Sequence, residues 1–228
     1  MVKKHLKALA APVTWPIKRK ENKFVLRPKP GKKFEFSMPV ALIFKNLLKY
    51  CKTMREVKSI LHDKEILIDG RRTKEPKALV GIMDTLSLPL SGENYMLLIS
   101  RSKKLFLLAV GKEEIGKKVC KIIGKTTLKK NQVQLNLFNS VNLIVKEDKY
   151  KLGDSVVISL PDQKILKHLE LAKDAYVFVI SGSHVGEHGT VVGVENSMIK
   201  IKMQSAEFET PKETVFVVGH KTPEIKLE

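Results

Sequence analysis

Several groups of residues have types and spacings that chemistry could use. Gly111-Lys-Glu-Glu-Ile-Gly116-Lys117-Lys118 follows an apolar run and nearly matches G-x-x-x-x-G-K-[ST], whose amides cradle phosphate while its hydroxyl ligates magnesium. Lys118 stands where the hydroxyl belongs, and Glu113 and Glu114 would set carboxylates beside phosphates. A solvated turn accounts for that stretch better. His184 and His188 have the four-residue step of a helical metal pair, but Gly182, Gly186 and Gly189 surround them and disfavour a helix. Cys51 and Cys120 are the only cysteines and form no C-x-x-C pair, so neither a disulfide framework nor a cysteine zinc site is supported. No G-x-S-x-G elbow occurs, and no two carboxylates stand out as acid and base. The expectation is a chain with no catalytic residues, no metal ligands and no cofactor.

The cations are different. The 228 residues hold 42 Lys and Arg against 24 Asp and Glu, a formal net charge of +18. Residues 1–80 alone carry 21 of the bases and 7 of the acids. A field so concentrated attracts a polyanion, either nucleic acid or an acidic membrane surface. Within it, Lys52, Arg55 and Lys58 ring the start and outer face of one expected helix, and Arg71, Arg72 and Lys74 follow an expected turn. If helix and hairpin pack together, both sets share one phosphate-gripping surface, to which the helix N-terminus adds a favourable dipole. Lys3, Lys4, Lys7, Lys18 and Arg19 supply further cations near the N-terminus, with Trp15 and His5 as rings able to stack on RNA.

The elements that must position these residues are legible in part. Residues 1–33 carry 11 Lys and Arg, the single acid Glu21, and four prolines. Uncompensated charge and missing amide donors predict an extended arm, residues 1–37, that orders only against a partner. From Val40 to Tyr50, Leu42, Ile43, Asn46, Leu47 and Tyr50 recur at helical steps. Thr53-Met-Arg-Glu56 fits a capping box opening a second helix, which runs to about Leu61. Glu65-Ile-Leu-Ile-Asp69-Gly70-Arg71-Arg72 predicts a strand, an Asp-Gly turn and a basic return strand. From Asn94 the pattern is β-rich, with strands predicted at 95–100, 105–110, 132–138, 142–145 and 155–159. Residues 163–171 read as either strand or short helix. Strands at 176–180, 190–194, 198–203 and 215–218 predict a small C-terminal barrel.

Other classes fall away. The longest unbroken apolar stretches reach about a third of the ~20 residues a spanning helix needs. The N-terminus lacks the apolar region of ~7–15 residues that a secretory signal carries. No N-x-S/T sequon is present. A cytosolic protein is expected.

Lys3-Lys-His-Leu-Lys-Ala-Leu-Ala-Ala-Pro12 followed by Trp15 resembles the opening of the archaeal/eukaryotic-type ribosomal protein four of the small subunit. Further stretches resemble the same family: Pro39–Phe44 with Leu48-Lys-Tyr50, Thr53–Lys58, Ile68-Asp-Gly70, Gly81–Asp84 and Gly92-Glu-Asn94. Residues 176–191 resemble a KOW motif, although Ser183, His184, Glu187 and His188 stand where such loops often carry Lys or Arg. The resemblance implies an α+β, β-rich protein: a basic arm (1–37), an alpha-L type RNA-binding module of two helices on a small sheet (38–90), a central β domain (91–172) and an SH3-like KOW barrel (173–228). It further implies a non-enzymatic structural constituent of the small ribosomal subunit, partnered by ribosomal RNA and neighbouring ribosomal proteins, with no membrane and no small-molecule substrate. The rival readings are an RNA-modifying enzyme of the pseudouridine synthase type, since alpha-L modules precede such domains, and a KOW-type transcription elongation factor.

Overall fold

The computed structural model describes residues 5–129, 132–146, 148–195, 197–203 and 207–227. The chain forms two compact units, 1–115 and 116–228.

In the first unit, β1 (Leu6–Lys7) and β2 (Phe24–Val25) pair antiparallel within the arm. The chain continues through β3 (Ser37–Pro39), α1 (Val40–Leu42), α2 (Met54–Asp63), β4 (Leu67–Ile68), β5 (Arg71–Arg72), β6 (Leu79–Gly81), β7 (Thr85–Leu88), β8 (Glu93–Ile99) and β9 (Leu105–Ala109). The main sheet is antiparallel in the order β5-β4-β7-β8-β9, and β3 pairs separately with β6. The first predicted helix is shorter than its periodicity implies. After Leu42 the backbone widens, so that the Leu48 amide donates to the Ile43 carbonyl at 3.0 Å, and Lys49 reverses the chain at φ 58°. Buried Val40, Ala41, Ile43 and Phe44 hold this segment by packing. α2 starts as predicted: the Glu56 amide donates to Thr53 Oγ1 at 3.3 Å, and the Thr53 amide donates back to Glu56 Oε2 at 3.4 Å. Val57 and Leu61 form its buried stripe. Asp69 and Gly70 both take positive φ, 51° and 73°, the conformation a two-residue turn between twisted strands requires.

The structure differs from the expected layout in two places here. The strands predicted to open a central domain after residue 90 are β8 and β9, and they complete the first unit's sheet, β8 pairing directly with β7. Alternating apolar residues specify a strand but not the sheet it joins. The arm also does not await a partner. Trp15 is fully buried and its indole Nε1 donates to the carbonyls of Ser37 at 2.7 Å and Phe34 at 3.1 Å. The Leu105 amide donates to Thr14 O at 2.9 Å, and Lys32 reaches the buried Asp84 carboxylate, which also accepts from the Gly81 amide at 2.6 Å. Prolines limit the arm's own ladder to the short β1–β2 pair, so its other carbonyls find donors at Arg19 and on the rest of the unit.

The second unit contains β10 (Lys117–Thr127), β11 (Val133–Leu137), β12 (Asn142–Val145), β13 (Ser155–Ser159) and β14 (Ile165–Leu169), paired in the order β12-β11-β10-β13-β14. It continues with β15 (Ala175–Val179), β16 (His188–Glu195), β17 (Met198–Lys202), β18 (Glu207–Pro211), β19 (Val215–His220) and β20 (Thr222–Pro223), in the order β18-β17-β16-β15-β19-β20. The segment left open between helix and strand is thus β14. Cys120, Ile122, Leu135, Leu137, Val156 and Ile158 form the core of the first sheet. Gly189 of the KOW-like stretch is fixed by close approach, since a Cβ there would meet the Lys202 carbonyl at 2.5 Å.

Lys121 of β10 joins the two sheets. Its buried ammonium donates to the carbonyls of Lys212, Glu213 and Val215 at 2.7, 2.9 and 2.7 Å. Burial pushes this amine down to about 8, with the Glu213 charge opposing. The unfolded chain, with its ordinary value of 10.5, therefore holds the proton more tightly than the folded one. Stability then rises with pH through the window from about 8 to 10.5. Urea unfolding across that window should show the native chain gaining on the Lys121→Met variant by an amount on the order of 3 kcal/mol. Parallel curves for the two proteins would contradict this.

Candidate nucleic-acid interface

The module's cations are exposed on α2 and on the hairpin that follows it. Arg55, Lys58 and His62 follow each other at helical spacing along the exposed side of α2, and Lys52 is exposed just before it. Arg72 Nη2 donates to the His62 carbonyl at 3.4 Å, and the Thr73 amide donates to Ile66 O at 2.9 Å, which ties the hairpin to the end of α2. Arg71, Arg72 and Lys74 are exposed there. The apolar stripe of Val57 and Leu61 turns inward and so forces these cations outward.

The helix N-terminus contributes less than the sequence implied. The Glu56 carboxylate already accepts from the Lys52 amide at 2.8 Å and from the Thr53 hydroxyl at 2.9 Å. These bonds hold Glu56 below the usual carboxylate range, the Lys52 amide being the main cause. A phosphate at that end would meet this charge. The exposed cations lie instead along the flank of α2.

In the arm, three of the candidate residues have structural partners. Trp15 is buried and cannot stack on a base without undocking; a large ring beside shielded carbonyls gains more from burial than from exposure. Arg19 donates to Ala11 O at 2.9 Å and Pro12 O at 2.6 Å, with longer contacts to the Ala8 and Leu9 carbonyls, so its guanidinium staples the arm. Lys18 pairs with Glu21 at 2.6 Å, a bond that raises its pKa. His5 and Lys7 remain exposed. Lys3 and Lys4 lie outside the described residues.

Sequence reasoning placed the turn between β8 and β9 at residues 101–104 but did not count its cations among the candidate residues. Lys104 Nζ donates to Val13 O at 2.5 Å, and Arg101 and Lys103 stand exposed beside that junction. The run Arg101-Ser-Lys-Lys104 was a visible signal, but only the long-range pairing of Leu105 with Thr14 places it against the arm.

The enzyme-like motifs dissolve in three dimensions. Residues Lys112–Ile115 form one helical turn, and Lys117 already begins a strand, so no loop opens onto a helix as a phosphate cradle requires. His184 pairs with Glu187 at 2.9 Å and stacks on Phe208 at 3.9 Å, whereas His188 lies in β16 near Tyr176. Among the described residues no group of three or more His, Cys, Asp or Glu could hold a metal ion. No helix among them is long and apolar enough to cross a membrane.

Fold and surface together define a class: a basic, β-rich protein with a docked N-terminal arm and a cationic helix–hairpin face. The chain belongs to the ribosomal S4e family. The model described as "Ribosomal family S4e" matches residues 91–165, and the "RS4NT (NUC023) domain" matches residues 2–31. The small ribosomal subunit protein eS4 of Methanococcus maripaludis is 40% identical, covering 99% of this chain and 98% of its own. That of Methanocaldococcus jannaschii is 39% identical over the same shares. The crystal structure of the 30S ribosomal protein S4e from Thermoplasma acidophilum superposes with a TM-score of 0.72 at 26% identity, covering 84% of this chain and 98% of that one.

Proposed function

We propose that this chain is a structural constituent of the small ribosomal subunit that holds folded ribosomal RNA and acts by binding rather than by catalysis. The observation that carries the reading is the surface formed by Lys52, Arg55, Lys58, Arg71, Arg72 and Lys74 in a chain alike over its whole length to small-subunit proteins. The mechanism is charge neutralisation: each phosphate contacted releases condensed counterions. Lys7, Arg101 and Lys103 extend the surface along the docked arm. The KOW-like loop, with His184 locked between Glu187 and Phe208 and few cations, faces protein neighbours better than phosphate. Exposed Ile144, Leu152 and Leu166 of the second unit suit such contacts too.

Two measurements test this. In a sucrose gradient of cell extract the chain should sediment with small subunits; a position among free proteins or with polymerase would contradict the reading. In vitro, the logarithm of affinity for ribosomal RNA should fall linearly with the logarithm of salt concentration. If six phosphates are met, the slope is about −4 to −5. A slope near zero would rule out charge neutralisation.

A further inference from the structure

With Trp15 buried, the arm's stacking surface must be sought elsewhere. Phe24 is 49% exposed on β2, directly opposite Lys7 in the β1–β2 pair. The His5 ring lies 5.4 Å from its centroid at 49°, and Lys23 Nζ lies 5.6 Å away over the ring. Lys7 and Lys23 are exposed beside it, and the nearby acid in sequence, Glu21, is engaged by Lys18. A single exposed aromatic needs no explanation by itself. A flat ring held on a paired strand, flanked by an imidazole and two ammonium groups, is the combination with which proteins hold unpaired nucleotides: bases stack on the ring while the cations meet the flanking phosphates.

We infer that Phe24 is a stacking platform for an unpaired RNA base, with His5 as its lateral wall and Lys7 and Lys23 as its phosphate contacts. The inference rests on the RNA-binding reading above and adds a preference for single-stranded over duplex RNA at this end of the protein. Duplex bases are stacked on one another and offer no face to the ring, so the platform discriminates by base accessibility and tolerates any sequence.

The test uses the full chain, a single-stranded oligonucleotide carrying 5-iodouridine, and a blunt RNA duplex of equal length. Irradiation should cross-link the single strand to Phe24. Phe24→Leu, which keeps apolar bulk in the strand, should weaken single-strand binding about ten- to a hundredfold while leaving duplex binding and the salt slope unchanged. Phe24→Tyr should restore it. Native affinity in Phe24→Leu, or equal loss for both RNAs, would overturn the platform while leaving the RNA-binding reading intact. Failure of the unaltered chain to bind either RNA would overturn both.

Discussion

Replacing Trp15 by alanine is expected to detach the N-terminal arm from the first unit and to cost about 3–5 kcal/mol of folding free energy. The indole is fully buried, and its Nε1 satisfies two carbonyls, those of Ser37 and Phe34. Truncation opens a cavity and leaves those acceptors unpaired, and each effect destabilises independently. The arm's other ties, the Arg19 staple, the Thr14 acceptor and the Lys32–Asp84 pair, all lie close to Trp15 in sequence or depend on the same docking. Trypsin reports the outcome directly. Cleavage after Lys18, Arg19, Lys20 and Lys23 should accelerate well before global unfolding, and the melting curve should shift downward. Trp15→Phe, which keeps most of the volume and loses only the donor, should fall between. An unchanged digestion pattern in Trp15→Ala would show that the arm is not held by this ring.

The second large effect belongs to the proposed RNA surface. The triple substitution of Arg55, Arg71 and Arg72 by alanine should leave the isolated protein folded. It should lower affinity for ribosomal RNA by two orders of magnitude or more, and reduce the salt slope by about 2 to 3. All three side chains are exposed, and among the described residues only Arg72 makes a bond, a long one to the His62 carbonyl. Circular dichroism separates folding from binding, and incorporation into subunits gives the cellular readout. Normal incorporation of the triple variant would remove these residues from the interface. A uniform loss across RNA sequences fits phosphate contact, whereas loss on one sequence alone would indicate base readout instead.

The sequence made legible the features that are settled locally. The Thr53–Glu56 box and the Asp69-Gly70 turn are decided by neighbours within a few residues, and both stand where the pattern places them. The KOW-like strands and the barrel pairing partner β19 were likewise readable from alternation. What escaped notice is of two kinds. β10 and β18 carry lysine or glutamate where strands usually carry apolar side chains; Lys118 and Lys121 are buried in β10, and β18 is a charged strand whose Glu207 and Glu209 stand opposite lysines of β17. No local rule marks a buried lysine whose acceptors lie some 90 residues away. The second kind is pairing at long range. Trp15, Arg19 and the β8–β9 strands were all identified as residues and elements, but the partners that decide their roles are set by the closed unit and not by spacing. The arm was misread for that reason: its charge argued for solvent, while its carbonyls had donors waiting on β9 and at Arg19.

The bond from Leu105 to Thr14 has a consequence for the order of events during synthesis. The arm leaves the translating machinery first, yet the backbone that receives it includes the strand beginning at Leu105. Domains close as their segments become available: the Trp15 bonds to Phe34 and Ser37 can form after about twenty further residues, whereas the bond from Leu105 to Thr14 waits for about ninety. Throughout that interval the arm lacks its contact with β9, while its exposed cations, Lys7, Lys20 and Lys23 among them, already stand open to any polyanion nearby.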